Sequence, residues 1–169
     1  MSQPLRATFA LVALLTLAFA APAAAPAKAD GQIGGSAFPV VYRFYDVTGT
    51  TIGQLRASLK ENGPKGFYGF TKPHYGKGER CFEGSVRIKL PRWPGLEMAP
   101  RLLQWRWKRM YAALVRHEER HAAHFVQAAA QMRQSGCARF EIIRDKWQAR
   151  TDRYDRLTRH GALEGVFLF

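Results

Sequence analysis

The stretch Arg116-His117-Glu118-Glu119-Arg120-His121-Ala122-Ala123-His124 constrains this chain more than any other. It lies inside the longest run of helical periodicity, from about Pro100 to Ser135, with Gly136 to close it. Helix positions i and i+4 share a face one turn apart. His117 and His121 therefore stand side by side, able to close on one ion. Leu103, Trp107, Met110, Leu114, Ala128 and Met132 fall on the same side, so the pair points inward. Glu118 projects about 100° round the helix from His117. There it reaches a water bound to the ion instead of the ion itself. Two imidazole ligands, a carboxylate base and an open coordination position are what a hydrolytic zinc site requires. The plainer reading is a pair of core histidines with Glu118 in solvent.

A catalytic zinc takes three protein ligands, so a third is sought. His124 shares the face, but it lies two turns on from His117, about 10 Å along the axis of a straight helix. It is expected to pack, to orient a neighbour or to touch substrate. His74 follows a proline in a loop-like stretch. His160 is the favoured candidate, at the end of a helix that must fold back along the first, with Gly161 to let the backbone turn. Just before it, Tyr154 is placed to donate to an oxyanion. Asp155 is placed to accept from a ligand's second ring nitrogen. Each has a bland alternative: Asp155 pairing with Arg159 at i+4, and Tyr154 packing in the core.

The N-terminus carries a different signal. A short cationic start precedes the apolar run Ala7 to Ala21, and Ala27-Lys28-Ala29 offers small residues before a cut. Residues 1–29 read as a secretory signal peptide and 30–37 as a flexible lead-in. Residues 38–169 then form one domain, with no stable membrane span after cleavage. The expected address is secreted or periplasmic. There, the two cysteines, Cys81 and Cys137, suit one disulfide. The formal charge is +13, and the leader would remove only Arg6 and Lys28 of it. Such a balance suits an anionic cell-envelope surface, although a solvated basic surface is the plainer reading; no specific nucleic-acid partner is expected.

Along the chain, Phe38 to Asp46 reads as a strand. A capping box at Thr51 to Gln54 then opens a helix that stops at Asn62-Gly63-Pro64. Phe67 to Thr71 and Arg80 to Leu90 read as strands, the second alternating at Val86, Ile88 and Leu90. The long helix follows, then one from about Phe140 to Arg159, and last an apolar tail. This order describes an α+β domain.

Several local patterns coincide here. They are Tyr45-Asp46-Val47 with Thr51, the Cys81 and Cys137 pair, Leu90-Pro91-Arg92-Trp93, His117-Glu118-x-x-His121, and Tyr154-Asp155-x-x-Thr158-x-His160-Gly161. Together they resemble the bacterial predicted secreted zinc-dependent proteases, over roughly Tyr42 to Gly165. The resemblance implies a zincin-like α+β fold, a small antiparallel sheet on a long active-site helix and a second C-terminal helix. It implies Zn2+ held by His117, His121 and His160, and an exported metallopeptidase that cuts a peptide or protein substrate. Its attacking water is bound to zinc, and Glu118 is the general base. Two departures stand out: Glu164, where a polar amide is expected, and the Gly-rich stretch Gly66 to Gly76, where a tryptophan-bearing strand is expected. Two rival readings are a non-enzymatic envelope protein with a structural zinc, and a basic module for anionic envelope polymers. The run Trp105-Arg106-Trp107-Lys108-Arg109 motivates the second.

Overall fold

A computed structural model describes residues 38–169, so the leader and lead-in read from the sequence lie outside the described residues. The elements are β1 (Val40–Asp46), α1 (Ile52–Asn62), β2 (Phe70–Tyr75), β3 (Gly84–Arg92), α2 (Arg101–Gln134) and α3 (Phe140–Thr158), joined by short 3₁₀ turns. The α+β class holds, and the sheet is mixed. Its order is β1-β3-β2, with β1 parallel and β2 antiparallel to β3. The small antiparallel sheet that the resemblance implies is thereby corrected in its β1–β3 pair, which is parallel. Parallel strands need a crossover rather than a hairpin, and α1 supplies one. Its start is local chemistry, because the Thr51 hydroxyl accepts from Gln54 N at 3.2 Å. Pro73 in β2 lacks a backbone donor and sits where such a residue is tolerated, on an edge strand.

Helix α2 is the spine. Its 34 residues extend about 51 Å at the helical rise. Leu103, Trp107, Met110, Leu114, Phe125 and Met132 are buried along one stripe, and His117 and His121 with them. The sheet lies against this stripe through Val86, Ile88 and Leu90, with Leu55 and Leu59 of α1 filling the same core. In the tail, Val166 and Leu168 also enter it. A smaller cluster of Cys81, Ala128, Met132, Ile143 and Trp147 seats α3 on the far half of α2. Trp147 Nε1 donates to Gln131 Oε1 at 3.1 Å. Seated in this way, α3 carries its last two turns up to the histidine pair.

Cys81 and Cys137 form a disulfide in that smaller cluster, with Cα atoms 5.9 Å apart. It ties the start of the β3 region to the end of α2 across 56 residues of chain. Closing a loop of that length restricts the unfolded chain by about 4 kcal/mol on the chain-entropy estimate. Replacing both cysteines by serine is expected to lower unfolding free energy by about that amount in urea melts. A loss below about 1 kcal/mol would contradict this account.

Candidate metal centre

The site is assembled from four places in the chain. Helix α2 presents His117, Glu118 and His121, all buried. Helix α3 presents Asp155, β2 presents Thr71, and the 3₁₀ turn Ala162–Glu164 presents Glu164. His117 Nε2 and His121 Nε2 are 3.1 Å apart. Asp155 Oδ1 stands 3.2 Å from the first and 3.0 Å from the second. Among the described residues, His117, His121 and Asp155 form the group able to hold a metal ion.

The chemistry of these three atoms can be read from the hydrogen bonds behind them. His117 Nδ1 lies 2.8 Å from Glu164 Oε2. A carboxylate cannot donate, so the ring donates from Nδ1, and in its neutral form it turns the Nε2 lone pair toward Asp155 and His121. Three electron-rich atoms then crowd one point, an arrangement that a proton or a cation stabilises. Tetrahedral ligands about 2 Å from one ion stand about 3.3 Å from each other, close to the spacings here. Two neutral imidazoles and a carboxylate are also a donor set that zinc accepts. By both geometry and chemistry the residues fit the ion. His121 Nδ1 is, among the described residues, the buried side-chain polar atom without a partner.

Electrostatics follow the same contacts. Burial opposes protonation of His117, but the protonated ring donates to both Asp155 and Glu164, which outweighs burial and holds its pKa above the ordinary value. Burial also works against the Asp155 carboxylate, yet the two imidazoles hold its pKa well below the usual range. Burial pushes Glu118 upward, against the hydrogen bond from Thr71 and the neighbouring imidazoles.

Glu118 is held from the sheet. The Thr71 hydroxyl donates to its Oε2 at 2.8 Å. Glycine at 69 makes room for the other oxygen, since a Cβ there would lie 2.7 Å from Oε1 and 2.8 Å from Leu114 Cδ1. Gly161 has the same importance on the opposite side. Its φ of +80° starts the turn that carries Glu164, and a Cβ would lie 2.6 Å from Val166 and 3.1 Å from the His117 ring.

The other expected site residues fall as follows. His160 stands at the rim, its side chain 58% exposed and Nδ1 3.7 Å from Asp155 Oδ1. Arg159 and His160 both take left-handed backbone, φ 51° and 52°, which ends α3 and turns the ring onto Phe67 at 5.2 Å. In this structure Asp155, read from the sequence as an outer partner, takes the inner place expected of His160. Tyr154, read as an oxyanion donor, donates to Glu164 at 2.8 and 2.9 Å and stacks on His117 at 5.0 Å. His124 is buried, 3.3 Å from Thr151 Oγ1, with its ring against Trp147. His74 is exposed on β2, a strand position that points opposite to Thr71. Glu164, Thr71 and Gly69 were not found as site residues from the sequence. The available signals were the acid at the position expected to hold an amide and the unusual Gly-rich stretch.

A cleft of about 690 Å³ opens over the pair, walled by Phe67 to Pro73 on one side and by Thr151, Asp155 and His160 on the other. Tyr45 donates to Tyr68 O at 2.7 Å and so anchors the first wall to β1.

An α+β domain with a buried imidazole pair, an inward carboxylate and an adjacent buried glutamate defines a class of candidate metal-binding proteins. Within it, residues 42–161 match the model of a family described as a bacterial protein of unknown function (DUF922), and the chain belongs to that family. Neither a curated protein nor a solved structure shows significant similarity to the chain.

Proposed function

We propose that this chain is an exported zinc metallopeptidase. The observation that carries the reading is the triangle of His117 Nε2, His121 Nε2 and Asp155 Oδ1, with sides of 3.0 to 3.2 Å, next to buried Glu118. His117, His121 and Asp155 would hold the ion. When bound, zinc supplies Lewis-acid activation of a water and of the scissile carbonyl.

The chain's own residues supply the rest. Glu118 takes a proton from the attacking water as the carbon–oxygen bond forms, and returns it to the amide nitrogen as the carbon–nitrogen bond breaks. Its burial raises its affinity for that proton. Thr71 fixes the carboxylate by its hydrogen bond to Oε2. Glu164 orients His117, and Tyr154 braces Glu164 and the His117 ring, so both are positioning residues. Because Tyr154 is engaged with Glu164, no oxyanion contact is assigned to it. An extended peptide would lie in the cleft beside β2, whose outer edge is not paired in the sheet among the described residues.

Export is supported by the apolar leader in the sequence and by the Cys81–Cys137 disulfide. Among the described residues, no helix is long and apolar enough to cross a membrane.

Metal dependence tests the proposal. The purified protein is expected to contain about one zinc per chain and to cleave unfolded casein. Chelation should abolish cleavage, and added zinc should restore it. Zinc whose removal lowers the melting temperature, in a protein that cuts no casein, would instead indicate a structural ion.

A further inference from the structure

The tail and the first turns of α2 build a surface that neither the fold nor the metal centre uses. The tail alternates: Val166 and Leu168 are buried, while Phe167 and Phe169 turn outward. Phe169 is 50% exposed, and its ring lies 4.7 Å from that of Phe167. On α2 the split is similar, for Trp107 is buried and Trp105 is 53% exposed. The Arg109 guanidinium joins the two segments, 5.5 Å from the Trp105 ring and 6.0 Å from that of Phe169. Leu102, one turn before Trp105, extends the exposed apolar area. The outward side chains Leu102, Trp105, Arg109, Phe167 and Phe169 line neither the metal-site cleft nor the cleft beside the disulfide.

The helix side of this surface carries charge of one sign. From Arg101 to His117 the helix carries Arg101, Arg106, Lys108, Arg109 and Arg116 and no acidic residue. Glu97 reaches Lys108 at 3.9 Å, a solvent-exposed pair. Exposed Trp and Phe rings beside arginines and lysine are the chemistry of a face that lies in a membrane interface. An anionic polymer would satisfy the cations but leave the phenyl rings in water. A bilayer surface satisfies both, with lipid phosphates for the cations and the acyl boundary for the rings.

We propose that this face docks the protein peripherally on an anionic lipid surface. Trp105, Phe167 and Phe169 enter the headgroup boundary, and Arg101, Arg106, Lys108 and Arg109 meet lipid phosphates.

The test is co-sedimentation of the purified protein with vesicles. Wild type is expected to sediment with mixed phosphatidylglycerol and phosphatidylcholine vesicles and to stay in solution with phosphatidylcholine alone. A variant carrying both Trp105→Ser and Phe169→Ser should partition about tenfold more weakly, with unchanged thermal melting because both side chains are exposed. Should that variant unfold, Leu102→Ser with Phe167→Ser on the same face must show the loss. Failure of wild type to sediment with the anionic vesicles overturns the proposal. Equal partition of wild type and a folded aromatic variant also overturns it, leaving only diffuse charge attraction. Casein cleavage is not read in this assay, so its outcome is independent of the peptidase reading.

Discussion

Glu118→Gln is expected to slow casein hydrolysis about a thousandfold while the protein keeps its zinc, as loss of a general base does. The amide has the carboxylate's shape, and its oxygen can still accept from Thr71, which now bonds Oε2 at 2.8 Å. The imidazole pair and Asp155 are untouched, so metal content measured after dialysis should equal that of wild type. Stability should be equal or higher, because the buried carboxylate is held in surroundings that disfavour its charge. The informative result is therefore a split: activity lost, zinc and melting temperature kept. A Gln variant within about threefold of wild-type activity would remove Glu118 from the mechanism, since general bases contribute far more than that. Loss of zinc together with activity would mean that Glu118 serves the ion and not the water.

The reach of the sequence is clearest in α2. Leu103, Trp107, Met110, Leu114, His117 and His121 recur at helical spacing, and the helix buries that same stripe. The start of α1 was also legible, because Thr51 and Gln54 make their cap within one turn. Strand direction was not. Val86, Ile88 and Leu90 alternate alike in a parallel or an antiparallel pairing, and β1 meets β3 across an intervening helix and strand. The site divides along the same line. His117, Glu118 and His121 come from two turns of one helix, so local periodicity places them. Asp155, Thr71 and Glu164 arrive from three other elements, and their distances depend on how those elements pack. The exchange between Asp155 and His160 depends on less still: two left-handed residues, Arg159 and His160, at the end of α3. No periodic pattern encodes such a turn, although Gly161 beside it marks that the backbone leaves the helix there.

That exchange leads to the second large effect. Asp155→Ala is expected to weaken zinc binding about a thousandfold, and His160→Ala less than tenfold, in competition with a chelating dye. A zinc site bound by about 10 to 16 kcal/mol shares that energy among a few ligands, so one ligand is worth roughly a factor of a thousand. Asp155 Oδ1 lies 3.0 and 3.2 Å from the two Nε2 atoms, within the spacing that a single ion imposes on its ligands. His160 Nδ1 is 3.7 Å from that same oxygen, beyond hydrogen-bond reach, and its ring rests against Phe67 in solvent. His121→Ala, with a loss like that of Asp155→Ala, sets the scale for a true ligand. The reverse ranking, with His160→Ala severe and Asp155→Ala mild, would return Asp155 to the outer role of orienting a ligand imidazole. It would also require the His160 ring to leave its place against Phe67 and move inward on binding. The pair of variants thus reads the ligand set and the rigidity of the helix end that carries it.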